Sequence, residues 1–163
     1  MMFKSWLKRM YLLKIKRKNT MEILIDHLRK TGMNIGEGCC IFSDKIETTE
    51  PYLVTIGDNV MIAPNVQFTT HDASASHYIP GSSDLFGRIT VGDNSFIGMG
   101  SIMLPGTSVE KDSIVGAGSV VTKKFVEPGI VIAGNPAKKI CTTEDLREKN
   151  TKYALNIWGM NFE

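Results

Sequence analysis

From Val91 to Phe125 the chain places an aliphatic side chain at every sixth position: Val91, Ile97, Met103, Val109, Val115 and Val121. Four places after each stands a second column, Ser95, Ser101, Thr107, Ser113, Ser119 and Phe125, small until its last step. Glycine follows the aliphatic residue at Gly92, Gly98 and Gly116. A period of six is neither the period of an amphipathic helix nor the simple alternation of a half-buried strand. It is the repeat of a parallel β-helix, in which each hexad supplies one short strand and a turn. Three hexads then close one triangular coil, and each aliphatic side chain stacks inside the prism on its equivalent eighteen residues away. The small residue fits the tight corner, and glycine is expected where φ must turn.

Ile56, Ile62 and Phe68 keep the same register, with Val60, Val66 and Asp72 in the second column. Ile35 and Ile41 form an earlier pair, with Cys39 once in the small position. Chance alternation in a β-sandwich accounts poorly for eleven hexads in three blocks. Two breaks separate the blocks. Ile41 to Ile56 spans fifteen residues, three short of a full coil, so an irregular turn containing Glu50, Pro51 and Tyr52 is expected there. Phe68 to Val91 spans twenty-three, and the Ser-, Gly-, Pro- and Asp-bearing stretch 73–88 reads as a loop thrown out of the prism. Long excursions from a rigid scaffold are where function usually sits.

Outside the repeats, Met21 to Arg29 has a helical pattern with Ile23, Leu24 and Leu28 on one side and Gly32 as its C-cap. Thr142 to Trp158 reads as a C-terminal helix, with Thr142 or Thr143 as N-cap, that closes the open end of the solenoid. The expected organisation is a basic helical segment over 1–33, an all-β prism over 34–140 and a helical segment over 141–163.

Charge changes the picture at one end only. Residues 1–18 hold seven basic groups and no acid, whereas the other 145 hold 12 basic and 17 acidic groups. The body is therefore not expected to bind nucleic acid or another polyanion, and any such role falls to the N-terminus. In residues 1–18 the lysines interrupt the apolar run too often for a spanning helix or a signal peptide. Two readings stay open: a helix lying on an anionic membrane face, or one packed on a neighbouring subunit with its lysines in water. Three cysteines, two of them adjacent at Cys39 and Cys40, form neither a disulfide framework nor a zinc spacing, which fits a reducing cytoplasm.

The candidate chemistry gathers at the loop. His71 stands at its mouth, in the turn part of its hexad, so its side chain is expected to point away from the core. An outward imidazole there suits general-base work, because its ordinary pKa is near neutrality. Asp72, in the second column, is expected to shape the turn. His77 lies within the loop, and His27 on the first helix reads as structural or solvated. Only two histidines lie near the loop, so no metal is expected. Neither a nucleophile elbow nor a phosphate-cradling glycine loop is present.

Three longer motifs carry a resemblance. They are Pro51-Tyr52-Leu53-Val54-Thr55-Ile56-Gly57-Asp58-Asn59-Val60 with Thr70-His71-Asp72, then Ile114 to Lys123, then Ala133-Gly134-Asn135-Pro136-Ala137-Lys138. Over about Ile35 to Ile140 the chain resembles the hexapeptide-repeat acyltransferases, closest to the maltose/galactoside and capsular polysaccharide O-acetyltransferases. The resemblance implies a left-handed parallel β-helix and a homotrimer with sites between subunits. It implies transfer of acetyl from acetyl-CoA, without an acyl-enzyme, to a hydroxyl or amine. His71 matches the catalytic histidine, and Glu50, Tyr52 and Asp72 fall where the acceptor is held or the histidine oriented. Met99, Ala117, Thr122 and Lys123 match positions lining the CoA cleft, with Lys124 a further cation for its phosphates and backbone N–H groups near Met99 for the oxyanion.

The Thr-His-Asp triplet, in place of Gly-His-Pro, looks more like the capsule and lipopolysaccharide branch, although Ala73 stands where many relatives have glycine. The expected activity is cytoplasmic O-acetylation of a sugar unit of a surface polysaccharide, the basic N-terminus suiting work at the inner membrane face. The rivals are an acetyltransferase for a small sugar or antibiotic, a γ-carbonic-anhydrase-like metal enzyme, and a non-catalytic solenoid.

Overall fold

A computed structural model describes residues 20–156. The chain visits three sheets in turn, and these are the faces of a prism. The first face stacks Asn34–Ile35, Val54–Ile56, Ile89–Val91, Ser108–Val109 and Lys124–Phe125. The second stacks Cys40–Ile41, Met61–Ile62, Phe96–Ile97, Ile114–Val115 and Ile130–Ala133, and the third Gln67–Phe68, Ile102–Met103 and Val120–Val121. All of these pairings are parallel.

The hexad explains each strand. Its aliphatic residue points inwards and the residue before it outwards, as with buried Ile97 and exposed Phe96. On the second face Ile41, Ile62, Ile97, Val115 and Ile132 form one continuous stack, none more than 1% exposed. Each such side chain stabilises the fold by about 1.5–3 kcal/mol through burial. The small column is equally buried, and its hydroxyls find carbonyl acceptors: Ser101 Oγ donates to the Gly116 carbonyl at 3.0 Å and Ser95 Oγ to the Glu110 carbonyl at 3.2 Å, while Thr107 Oγ1 donates to the nearby Leu104 carbonyl at 2.7 Å. A serine there fits the corner and avoids the cost of an unpaired polar group.

Two expectations of the repeat need correction. Phe125 does not belong to the small column, because it pairs with Val109 and stacks in the core of the first face. That coil is two residues short of eighteen. Nor do Gly92, Gly98 and Gly116 adopt the left-handed φ of a turn. A Cβ at Gly98 would lie 2.6 Å from the Ala117 nitrogen of the next coil, so glycine there answers to close approach. The left-handed corners belong to other residues, among them Asn59, Asn94 and Asp112. There Asn94 Nδ2 donates to Asp112 Oδ1 at 3.0 Å, linking one coil to the next.

The helix α1 (Thr20–Thr31) covers the first coil, burying Ile25 and Leu28 with Met21 and Leu24 against the same core. Ile23, expected on that face, instead lines an apolar groove of roughly 750 Å³ with Phe42 and Ile41. Gly32, at φ +115°, ends the helix: its N–H donates to Arg29 O, and the Met33 N–H to Leu28 O, both at 3.2 Å. His27 is exposed and meets Glu47 at 3.1 Å.

At the other end the second face is closed by a strand, Lys138–Thr142, running antiparallel to Ile130–Ala133 across the expected boundary at 140–141. The helix α2 (Thr143–Asn150) follows and is shorter than expected, giving way to a 3-10 turn at Thr151–Tyr153. Thr142 is its N-cap, in a reciprocal box with Asp145. The expected helical or membrane-facing character of residues 1–18, and the end of the C-terminal segment, lie outside the described residues. Among the described residues no helix is long and apolar enough to cross a membrane.

Ile97→Ala opens a cavity in the middle of the second-face stack and is expected to cost about 3 kcal/mol. Glu110→Ala, on the exposed side, is expected to stay within about 0.5 kcal/mol. Urea unfolding of the two variants checks the difference.

Candidate functional site

The two long breaks in the repeat, 41–56 and 68–91, fall on one edge of the prism, between the third face and the first. The coil joining Asn34–Ile35 to Val54–Ile56 is three residues longer than eighteen, as Ile35 pairs with Ile56. The fifteen-residue step from Ile41 is thus an insertion and not a deficit. The extra length bulges at Glu50 and the 3-10 turn Pro51–Leu53. One coil further the chain leaves the prism at His71 and returns at Gly87, whose N–H donates to Thr70 O at 2.9 Å. The excursion is no open loop. His71–Asp72 pairs antiparallel with Leu85–Phe86, with a 3-10 turn, Ala73–His77, beyond the first arm.

The two insertions, stacked one coil apart, meet. His71 Nδ1 lies 2.9 Å from Glu50 Oε2. The same Oε2 accepts from Thr70 Oγ1 at 2.7 Å, and Oε1 accepts from Thr49 Oγ1 at 2.6 Å. Hydrogen bonds from Thr49, Thr70 and His71 pull the Glu50 carboxyl down to a pKa of about 2. The carboxylate in turn raises His71 above the usual imidazole value, chiefly through the hydrogen bond itself. An ionised Glu50 can only accept, so Nδ1 carries the proton in neutral His71 and Nε2 holds the free lone pair. The imidazole is 43% exposed while Glu50 is 15% exposed, so the acid is a support and the histidine meets solvent.

The remaining expected residues divide. Tyr52 stands exposed on the bulge, two residues from Glu50. Asp72 caps the 3-10 turn by accepting from the Ser74 N–H at 2.8 Å, which lowers its pKa, in keeping with its expected turn-shaping role. His77 ends that turn, exposed. Thr122 and Lys123 lie on the His71 edge: Thr69 N–H donates to Met103 O and Leu104 N–H to Val121 O, so the corners stack in line. Two strand spacings separate them from the His71 coil, about 10 Å. Lys123 Nζ sits 5.3 Å over the Phe125 ring.

Met99 and Ala117 are both exposed but occupy the opposite edge of the third face, so one chain brings the four expected cleft residues onto two edges. The N–H groups flanking Met99 are engaged, Gly98 with Val115 O and Gly100 with Pro64 O, which removes both as oxyanion donors. Among the described residues no group of three His, Cys, Asp or Glu side chains converges as a metal site would require.

Three contributors were not singled out for the site on sequence grounds. Thr49 and Thr70 clamp Glu50, and nothing in the hexad rhythm marks them, although a polar residue 1% exposed at the loop mouth is what Thr70 is. Phe86 stacks near His71, with centroids 5.9 Å apart. Its signal was available: a large hydrophobe outside the register, in a polar loop.

Comparison with known proteins agrees with this architecture. A family model described as the hexapeptide repeat of succinyl-transferase matches residues 88–123. The protein CapG of Staphylococcus aureus is 40% identical over 154 residues, covering 92% of this chain and 87% of CapG. Several other curated relatives, putative acetyltransferases and a galactoside O-acetyltransferase, are matched over about half of their length. The solved maltose O-acetyltransferase of Clostridium difficile 630 superposes with a TM-score of 0.62 at 27% identity, covering 86% of this chain and 84% of that one. A galactoside acetyltransferase solved in complex with coenzyme A shares the fold, with a TM-score of 0.51 at 19% identity over 86% of this chain and 80% of that one.

Glu50→Gln removes the charge that holds the imidazolium. The His71 pKa is then expected to fall, so that the ring stays neutral to lower pH, as followed by NMR titration of its ring protons. An unchanged or higher pKa would contradict the pairing.

Proposed function

The chain belongs to the hexapeptide-repeat acyltransferases, built on a left-handed parallel β-helix, and from that premise we propose that it transfers acetyl from acetyl-CoA to a sugar hydroxyl, with His71 as general base. The observation that carries this reading is the 2.9 Å contact of His71 Nδ1 with Glu50, on an edge where the imidazole meets solvent. A sugar hydroxyl is a weak nucleophile. Neutral Nε2 takes its proton as the oxygen attacks the thioester carbonyl, and Glu50 stabilises the imidazolium that forms. The tetrahedral intermediate collapses, the C–S bond breaks, and the departing thiolate takes the proton back from His71. The products are an acetyl ester and free CoA, with no covalent enzyme intermediate.

The outward side of the third face suits the donor. Ile102 and Val120 offer a narrow apolar strip between Met99 and Ala117 on one edge and Thr122 and Lys123 on the other. Such a strip fits a pantetheine arm, with Lys123 and Lys124 as point charges for the phosphates. The two edges of one chain are apart, which supports a homotrimer whose clefts join edges of adjacent subunits. The Thr70-His71-Asp72 triplet supports a unit of a surface polysaccharide as acceptor. The same reading sets the enzyme in the cytoplasm, with residues 1–18 as a contact to the anionic inner membrane face.

His71→Ala is expected to fold, to bind CoA in calorimetry and to lose at least about two orders of magnitude in turnover. Thiol release from acetyl-CoA, with a panel of methyl pyranosides, maltose and lipid-linked oligosaccharides as acceptors, measures it. Near-normal release by the variant would remove the mechanism.

A further inference from the structure

The hairpin at residues 71–86 presents apolar side chains that the fold does not use. In the prism strands one residue of each pair is buried, whereas Leu85 and Phe86 are both exposed, at 39% and 60%. Phe86 is the direct cross-strand partner of His71, so pairing holds the two side chains together. Their ring centroids lie 5.9 Å apart with the planes tilted by 43°. The imidazole, held by Glu50 through Nδ1, therefore stands beside an exposed aromatic ring. Any hydroxyl within hydrogen-bond reach of Nε2 belongs to a molecule whose body must lie near that ring.

We infer that Phe86 is the platform of the acceptor site and that the acceptor is a neutral pyranose, which lays a C–H face on the ring while one hydroxyl meets His71. This rests on the reading of His71 as the base. A pyranose carries several axial hydrogens on one face, slightly positive, and the face of an aromatic ring is its negative side. Charge narrows the class. Glu50, Asp84 and Asp72 are the groups whose charges act on His71, and all are acidic. An anionic sugar would bring a carboxylate into that field, whereas a neutral one meets no repulsion. Tyr52, exposed on the bulge that carries Glu50, is a second aromatic from another element of the same edge. Phe86 acts as a specificity residue: it binds and orients, and it takes no proton.

Saturation-transfer NMR with methyl β-galactopyranoside tests the platform without requiring turnover, using methyl galacturonoside as the anionic counterpart. Wild type is expected to transfer saturation mainly to protons on one face of the neutral sugar, and less to the uronoside. Phe86→Ala should reduce the transfer at least about fivefold, Phe86→Tyr should keep it, and His71→Ala should keep it too. In acetyl transfer, Phe86→Ala should raise the acceptor KM about tenfold and leave the acetyl-CoA KM unchanged. Wild-type transfer in Phe86→Ala, preference for the uronoside, or no saturation of either sugar by wild type would overturn the inference. So would a Phe86→Ala enzyme with unchanged acceptor KM and a lower kcat, which would make Phe86 a support for His71. Sugar binding that depends on Phe86 in a chain without acetyl transfer would sustain the platform and sink only the proposed reaction.

Discussion

A strand of two residues cannot hold itself. Each rung of this prism persists because its N–H and C=O groups pair with the coils above and below and its inward side chain is stacked between two equivalents. Ile97 has Ile62 beneath it and Val115 above. The rest of the structure depends on this lock between coils. It demands that eighteen residues return the chain to the same place, that the corner residue be small, and that glycine stand where a Cβ would come within 2.6 Å of the next coil. It also makes the scaffold rigid, because a shift of one residue would expose a whole column. The open ends need covering, and α1 covers one while the strand Lys138–Thr142 covers the other.

Function enters where the lock is broken. The three-residue insertion at Glu50, the seventeen-residue excursion that begins after Thr70 and the two-residue shortening at Thr122 and Lys123 lie on a single edge. The other two edges stay regular through these coils, save for one extra residue between Phe125 and Ile132, and carry the stability. The irregular edge is free to project side chains, and the stacking below it sets their separation. Glu50 reaches His71 because one insertion lies a coil beneath the other. Two threonine hydroxyls keep the carboxylate ionised, and the carboxylate keeps one ring nitrogen protonated. The result is an imidazole whose tautomer and direction are already fixed, which leaves little reorganisation for the base role proposed for it.

Much of this could be read from the chain because every coil repeats one environment. Val91 to Val121 announce the prism by period alone, and the loop announces itself by breaking it. His71 was legible from its place at the break, and Glu50 only through the family resemblance, which expects an acidic or amide residue near that bulge. What failed was whatever the period does not govern. Phe125 looked like a second-column residue because a coil two residues short shifts the count. Gly92, Gly98 and Gly116 looked like turn residues, although the proximity of the next coil is what excludes a side chain there. Lys138–Thr142 runs antiparallel and has no hexad. The Thr49 and Thr70 clamp and the His71–Phe86 pairing arise from contacts within the irregular edge, and no repeat encodes them.

The central claim is that His71 takes a proton and not the acetyl group. The most direct measurement is intact-protein mass spectrometry of the full chain, rapidly quenched after mixing with acetyl-CoA, in the absence and presence of an acceptor sugar. The account predicts unmodified protein under both conditions, with free CoA accumulating only when the acceptor is present. A stoichiometric acetyl adduct on His71, formed without acceptor and discharged when the sugar is added, would contradict it.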